Sequence, residues 1–297
     1  MRKYIILGLA GAMVFSVNMV LADKPDLTPK LVTVNPSKGQ TVVIIPDRAI
    51  KVSPGVFSLG TASDYNGRKV EGYALVHYKE GFGKPAGCNN DGVCQGWESS
   101  NCADCAGSGG KSDVSTCYGF LSKGAKWKEV EPYLVDPTNI RGLEETFIRD
   151  NLAFDISKWE NAALKDILGN EISGIVDGVD LESPDNKNEI YFGDIGQSGA
   201  IGVTVVWGIF GGPPAGRKLV EWDQVYDQVD FDWSAAGEVG KMDFENIATH
   251  ELGHSVGLND LYEDKCSEQT MYGYANFGEI KKRTLELGDI IGINNLY

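Results

Sequence analysis

The chain has 297 residues, with Lys+Arg 27 against Asp+Glu 42 and a formal net charge of −15. That charge excludes the basic surface that nucleic acid or an anionic membrane selects, so no nucleic-acid partner is expected. A hydrophobic share of 42% and a charged share of 23% are those of a globular protein with room for one large domain or two modest ones.

Met1-Arg2-Lys3, the apolar run from Tyr4 to Phe15 and Val20-Leu21-Ala22 have the layout of a secretory signal peptide. Residues 1–22 are therefore expected to be cleaved after Ala22, with the protein secreted and no other membrane association. An uncleaved anchor is the alternative, but the run is short for a span of about twenty residues, and Ser16 and Asn18 interrupt its end.

Residues 23–84 read as a small β-rich domain, an accessory or a propeptide. Thr41-Val42-Val43-Ile44-Ile45 and Gly72-Tyr73-Ala74-Leu75-Val76-His77-Tyr78 are short β-branched or aromatic runs, and Asn66-Gly67 is a hairpin signal. His77, alone in a strand-like run, reads as structural rather than as a ligand. Residues 85–115 form a Cys- and Gly-rich connector with too few apolar side chains for a core, so crosslinks or an ion must order it. Six cysteines in an exported chain favour disulfides, two of them among Cys88, Cys94, Cys102 and Cys105. A four-cysteine zinc site and a structural calcium on Asn89, Asp91, Glu98 and Asp104 are the alternatives, although no loop here has EF-hand spacing.

Residues 116–297 are mixed α and β. Leu143, Phe147, Leu152, Ile156 and Trp159 recur at helical spacing and predict a long amphipathic helix over 141–163. Residues 189–192, 202–207 and 218–222 read as strands. A helix over 244–256 should follow, with Asp243 as N-cap and Gly257 at its end, and a last helix over 285–296.

The helix over 244–256 carries His250-Glu251-Leu252-Gly253-His254. A four-residue step returns to nearly the same helical face, so His250 and His254 can point at one ion with Glu251 beside them as a general base. This H-E-x-x-H pattern is a signature of zinc metalloproteases; the plainer alternative is an amphipathic helix with incidental histidines. Gly257 permits a sharp turn, and Asp260 offers a third donor or merely caps that turn.

Together with Gly124-Ala125-Lys126-Trp127, the Tyr133 to Asn139 segment (YLVDPTN), Thr270-Met271-Tyr272-Gly273 and the closing Leu285 to Ile293 stretch, these residues resemble the metzincin metalloproteases, particularly the matrixin-like catalytic domain. The resemblance implies an α+β zincin fold over 116–297, a twisted mixed sheet with long helices, preceded by the small β domain and the connector. It implies one catalytic zinc on His250, His254 and a third ligand, with Met271 packed beneath as the Met-turn. Metzincins have a histidine where this chain has Asp260; in that respect it is similar to the snapalysin-like H-E-x-x-H-x-x-G-x-x-D pattern, which implies Asp260 as the third ligand. The histidine cluster of the matrixins' structural zinc is missing, so a second zinc is not expected. The strand around Ala200 to Val206 would form the upper cleft edge, with Ala200, Gly202 and Val203 pairing to substrate backbone, unless its alternating valines mark a buried core strand. Tyr272 or Tyr274 would assist the oxyanion or shape a pocket, or simply pack. Gly87-Cys88 does not match the family's cysteine switch, and Cys117 and Cys266 remain to bridge each other if the connector closes on itself.

The function implied is a secreted zinc metalloendopeptidase acting on protein or peptide substrates, with a zinc-bound water and Glu251 as general base. The alternative is an inert extracellular binding or surface-assembly protein on a zincin scaffold, against which an intact Glu251 argues. No sequence feature sets the oligomeric state.

Overall fold

A computed structural model describes residues 42–83 and 113–297, all within one compact unit. The expected signal peptide, residues 23–41 and the four connector cysteines lie outside the described residues. No helix among those described is long and apolar enough to cross a membrane.

Three strands come first: β1 (Ile50–Ser53), β2 (Val56–Ser63) and β3 (Lys69–Lys79). The predicted Asn66-Gly67 turn joins β2 to β3, with Gly67 at φ +73°, a left-handed conformation that glycine adopts without strain. Then follow β4 (Glu131–Val135), α1 (Glu145–Ala163), β5 (Leu168–Glu171), β6 (Glu189–Gly193), β7 (Ala200–Ile209) and β8 (Lys218–Asp227). Two short strands, β9 (Trp233–Ser234) and β10 (Met242–Asp243), lead into α2 (Phe244–Ser255); β11 (Tyr274–Ala275) and α3 (Leu287–Leu296) complete the fold. The helices predicted over 141–163, 244–256 and 285–296 are therefore present with small changes at their ends. The stretch over 41–45 forms no strand among the described residues; its Val43 makes a single parallel bridge to Ile195.

The main sheet has the order β1-β2-β3-β7-β8-β6-β4-β5, with β11 added to β3. β5, β4, β6 and β8 are mutually parallel, α1 making the crossover from β4 to β5. β7 runs antiparallel to β8, and β3 antiparallel to β7. The helices cover one face, where Ile148, Leu152 and Trp159 of α1 and Ala248 and Leu252 of α2 share a core with Ile201, Val206 and Trp222 of the sheet. Trp159 is fully buried and its Nε1 donates to the Thr249 carbonyl at 2.9 Å, locking α1 to α2. Burying a side chain of this size stabilises the fold by roughly 3 kcal/mol, the hydrogen bond fixing its orientation.

Residues 50–79 do not form a domain of their own, which corrects the expectation for residues 23–84. β3 buries Val70, Ala74 and Val76 on one face and Leu75 and His77 on the other. A strand buried on both faces needs cover that one hairpin cannot supply, so it is inserted in the larger sheet. The same insertion covers the expected open edge in this arrangement: β7 lies between β3 and β8 and is buried almost throughout. Of the two readings its valines allowed, the core strand holds here.

On the face away from the helices, buried carboxylates tie the 177–188 loop to the sheet. Glu189 accepts from the Asp177 and Gly178 amides at 3.0 and 2.7 Å, Asp223 from Asp180 at 3.0 Å, and Glu221 from Asn186. Lys187 neutralises the outer part, at 2.6 Å from Asp177 and 2.5 Å from Asp185. Burial, then the Asp180 charge, push the Glu221 carboxyl up to about 9, while burial and Asp185 push Asp180 up to about 6. Because these folded-state values lie above the unfolded ones, the fold holds protons the unfolded chain has released, and stability falls as pH rises through that window. Glu221→Gln keeps an acceptor for Asn186 without the charge. Its stability advantage over wild type, measured by denaturant unfolding without added divalent cation, should grow from pH 5 to pH 8. A constant difference would show that Glu221 ionises freely in the fold.

Candidate metal centre

Asp243 starts α2 by accepting from the Asn246 amide at 3.0 Å, and Arg283 clamps the same carboxylate at 2.6 and 2.7 Å. The helix ends where Gly257 takes φ +103°, so that its own N–H reaches the His254 carbonyl and the chain turns back toward the helix. This turn brings Asp260 to the face that carries His250 and His254.

The two histidine Nε2 atoms are 3.1 Å apart, and Asp260 Oδ1 lies 3.3 Å from one and 3.4 Å from the other. Tetrahedral zinc with bonds of 2.0–2.1 Å requires ligand atoms about 3.3 Å apart, so the three fit one ion. Tautomers agree: His250 Nδ1 donates to the Thr270 carbonyl at 2.7 Å and His254 Nδ1 to Leu258 at 3.0 Å, which leaves both Nε2 lone pairs for a cation. Asp260 Oδ1 is buried and accepts no hydrogen bond, whereas Oδ2 accepts from Tyr262 Oη at 2.9 Å. An orphaned buried oxygen facing two imidazole lone pairs is the donor set of a two-histidine, one-carboxylate zinc site. Burial opposes ionisation of Asp260, yet His254 and His250 hold its pKa below the usual carboxylate range. Burial and the Lys282 ammonium push His250 down to about 3.

Glu251 is fully buried one residue beyond His250. Its Oε2 accepts from Thr204 Oγ1 of β7 at 2.5 Å, and its Oε1 is 3.2 Å from His77 Nδ1 of β3. Lys282 Nζ lies 2.9 Å from His77 Nε2. An ammonium can only donate, so His77 Nε2 is the acceptor and Nδ1 carries the proton given to Glu251. The His77 ring also stacks on His250 at 3.8 Å between centroids. Burial raises the Glu251 carboxyl to about 7, the imidazole of His254 pulling the other way. Gly202 allows β7 to lie this close, since a Cβ there would stand 3.0 Å from Glu251 Oε1.

Met271 is buried under the helix, where its sulfur fills the space a side chain at Gly253 would need. Asp289 of α3 holds the turn, accepting from the Thr270 and Met271 amides at 2.8 and 3.1 Å. The Cys117–Cys266 disulfide forms, tying the start of this region to the loop before Met271.

The residues expected from sequence are thus placed as follows. His250, Glu251, His254 and Asp260 converge, with Met271 beneath. Tyr272 is at the rim, its carbonyl accepting from Lys282 Nζ, and its ring stands 5.8 Å from that of Tyr274. Ala200, Gly202 and Val203 are close to the centre, but their backbone pairs with Tyr78, His77 and Val76 of β3. His77, Thr204, Lys282 and Asp289 were missed. Only His77 carried any signal, as a histidine in a strand, and it was read as structural.

Residues 216–297 match the family model for the matrixins, a stretch running from β8 through α2 and Met271 to α3. The match supports a matrixin-like metalloprotease domain, a family whose chemistry depends on zinc. No curated protein matches the chain. Asp260→Ala should lower zinc affinity by at least roughly tenfold, as measured by competition with a chromophoric chelator, with far-UV dichroism unchanged. Unchanged affinity would remove Asp260 from the ligand set.

Proposed function

We propose that the chain is a secreted zinc endopeptidase and that the described arrangement is its latent form. The observation that carries the reading is the convergence of His250 Nε2, His254 Nε2 and Asp260 Oδ1 beside a buried glutamate. The expected export signal and the Cys117–Cys266 disulfide, a bond that persists in oxidising compartments, support secretion.

Zinc bound here supplies Lewis acidity, lowering the pKa of water and polarising a carbonyl. Glu251 takes a proton from the attacking water on Oε1 and later delivers it to the leaving amine. Thr204 holds Oε2 throughout, which fixes the direction of Oε1. The Thr270 and Leu258 carbonyls hold the two imidazoles in the required tautomer. β7 and β11 flank the centre and offer backbone groups to an extended substrate.

In the described form β3 takes both of those edges, antiparallel to β7 and parallel to β11. His77 takes the base: its Nδ1–H donates to the oxygen that must receive the proton of water. Peptide cleavage therefore requires β3 to leave, which a cut between residues 84 and 112 would permit. A chain nicked there should hydrolyse casein at least about tenfold faster than the intact chain. Within the nicked form, Glu251→Ala should lower turnover by about 10²–10⁴-fold while zinc content by atomic absorption is retained. Zinc-loaded, nicked protein without turnover would leave the site a structural one.

A further inference from the structure

Lys282 is fully buried, a rare state for a lysine without a carboxylate partner. It follows β11 in a short 3-10 turn, Lys281–Arg283, and its amide is anchored on Asn246 Oδ1 of α2 at 2.8 Å. Its Nζ donates to the Tyr272 carbonyl and to His77 Nε2, at 2.9 Å for the latter. Among the described residues it makes no ion pair; Glu279, Asp260 and Glu251 act on it only from beyond ion-pair distance. Burial pulls the amine down to about 8, with Glu279 and Asp260 opposing, so it remains mostly an ammonium at neutral pH. An ammonium has three donors, and two acceptors are present, one of them supplied by β3.

β3 is laid down as an extended peptide would be, adding to β7 on one side and β11 on the other. Alternation along the strand turns Leu75 and His77 toward the helices while Ala74 and Val76 face away. His77 is thus the side chain that drops beside Glu251, between His250 and Lys282. When β3 leaves, the Nδ1 side of that space is open to the water that Glu251 activates, while Lys282, on the Nε2 side, loses an acceptor unless a substrate side chain brings one. A buried ammonium left short of partners is costly, and a carboxylate would supply both a hydrogen bond and a countercharge. The carboxylate oxygens of glutamate stand the same number of bonds from Cα as the histidine Nε2, so glutamate reaches Lys282 where aspartate falls short.

We propose, resting on the peptidase reading, that Lys282 determines specificity and that the Lys282 side of the pocket now filled by His77 takes a substrate glutamate carboxylate, leaving Glu251 Oε1 to water. The charge balance is favourable: the two imidazoles are neutral, the two charges of a bound zinc ion would offset Asp260 and Glu251, and Lys282 meets the incoming carboxylate.

Two measurements test it. In the intact zinc-loaded chain, His77→Glu should hold β3 more firmly than His77→Leu, with at least tenfold slower hydrogen exchange of the β3 amides. Lys282→Met should abolish that difference. In a peptide library digested by the nicked chain, glutamate should be enriched at one position next to the cut, and Lys282→Met should remove the enrichment. Equal exchange in the His77→Glu and His77→Leu chains, or an enrichment that survives Lys282→Met, would overturn the assignment. Absence of any cleavage alongside the expected exchange difference would count against the peptidase reading and leave the pocket's preference for glutamate supported.

Discussion

The carbonyl oxygens of Thr270 and Leu258 take the Nδ1 protons of His250 and His254, and the form of the centre follows from those two hydrogen bonds. With Nδ1 committed, each ring must present Nε2 inward, and a helical turn between the two residues fixes the spacing. The acceptors are themselves held: Thr270 through its own amide on Asp289, and Leu258 through its position directly after the Gly257 turn. Thus α3 and the helix-ending glycine, neither of which touches a ligand ring with its own side chain, determine where the ligand lone pairs point. Because protein groups alone hold both rings, little metal affinity is spent on ordering them.

The helical part of the molecule could be read from the sequence because its signals are local. Leu152, Ile156 and Trp159 mark the face of α1, Asp243 and Gly257 bound α2, and the histidine spacing needs only helical geometry. Asp260 is marked by its separation from that helix, again a local quantity, and Met271 by the resemblance of Thr270-Met271-Tyr272-Gly273 to the Met-turn. What could not be read is set by contacts between residues far apart in sequence. His77 lies 174 residues from Glu251 and Lys282 lies 205 from His77, and no periodicity connects them. The same applies to β7: its valines fit both a covered and an open strand, and only the pairing with β3 decides between them.

β3 answers two demands at once. Its apolar side chains complete a sheet that would otherwise expose the β7 edge, a liability for any chain folding in a crowded compartment. Its one histidine satisfies the base and the buried lysine with a single neutral ring, donating from one nitrogen and accepting on the other. No other common side chain does both at that reach, because an amide is shorter or differently angled and a carboxylate cannot donate when ionised.

The Cys117–Cys266 bond lies downstream of β3 and joins residues 149 apart in sequence, closing a loop that contains α1, β4 to β8 and α2. A cut in the connector would break the peptide link to the segment carrying β3, which would then be held by sheet pairing and by the side chains buried on both of its faces. While the chain is continuous that segment cannot diffuse away from its groove; once severed and diluted, it must find the groove again from bulk solution. Opening of the intact chain is thus readily reversed, and opening of the cut chain becomes a one-way step without any change in the contacts themselves.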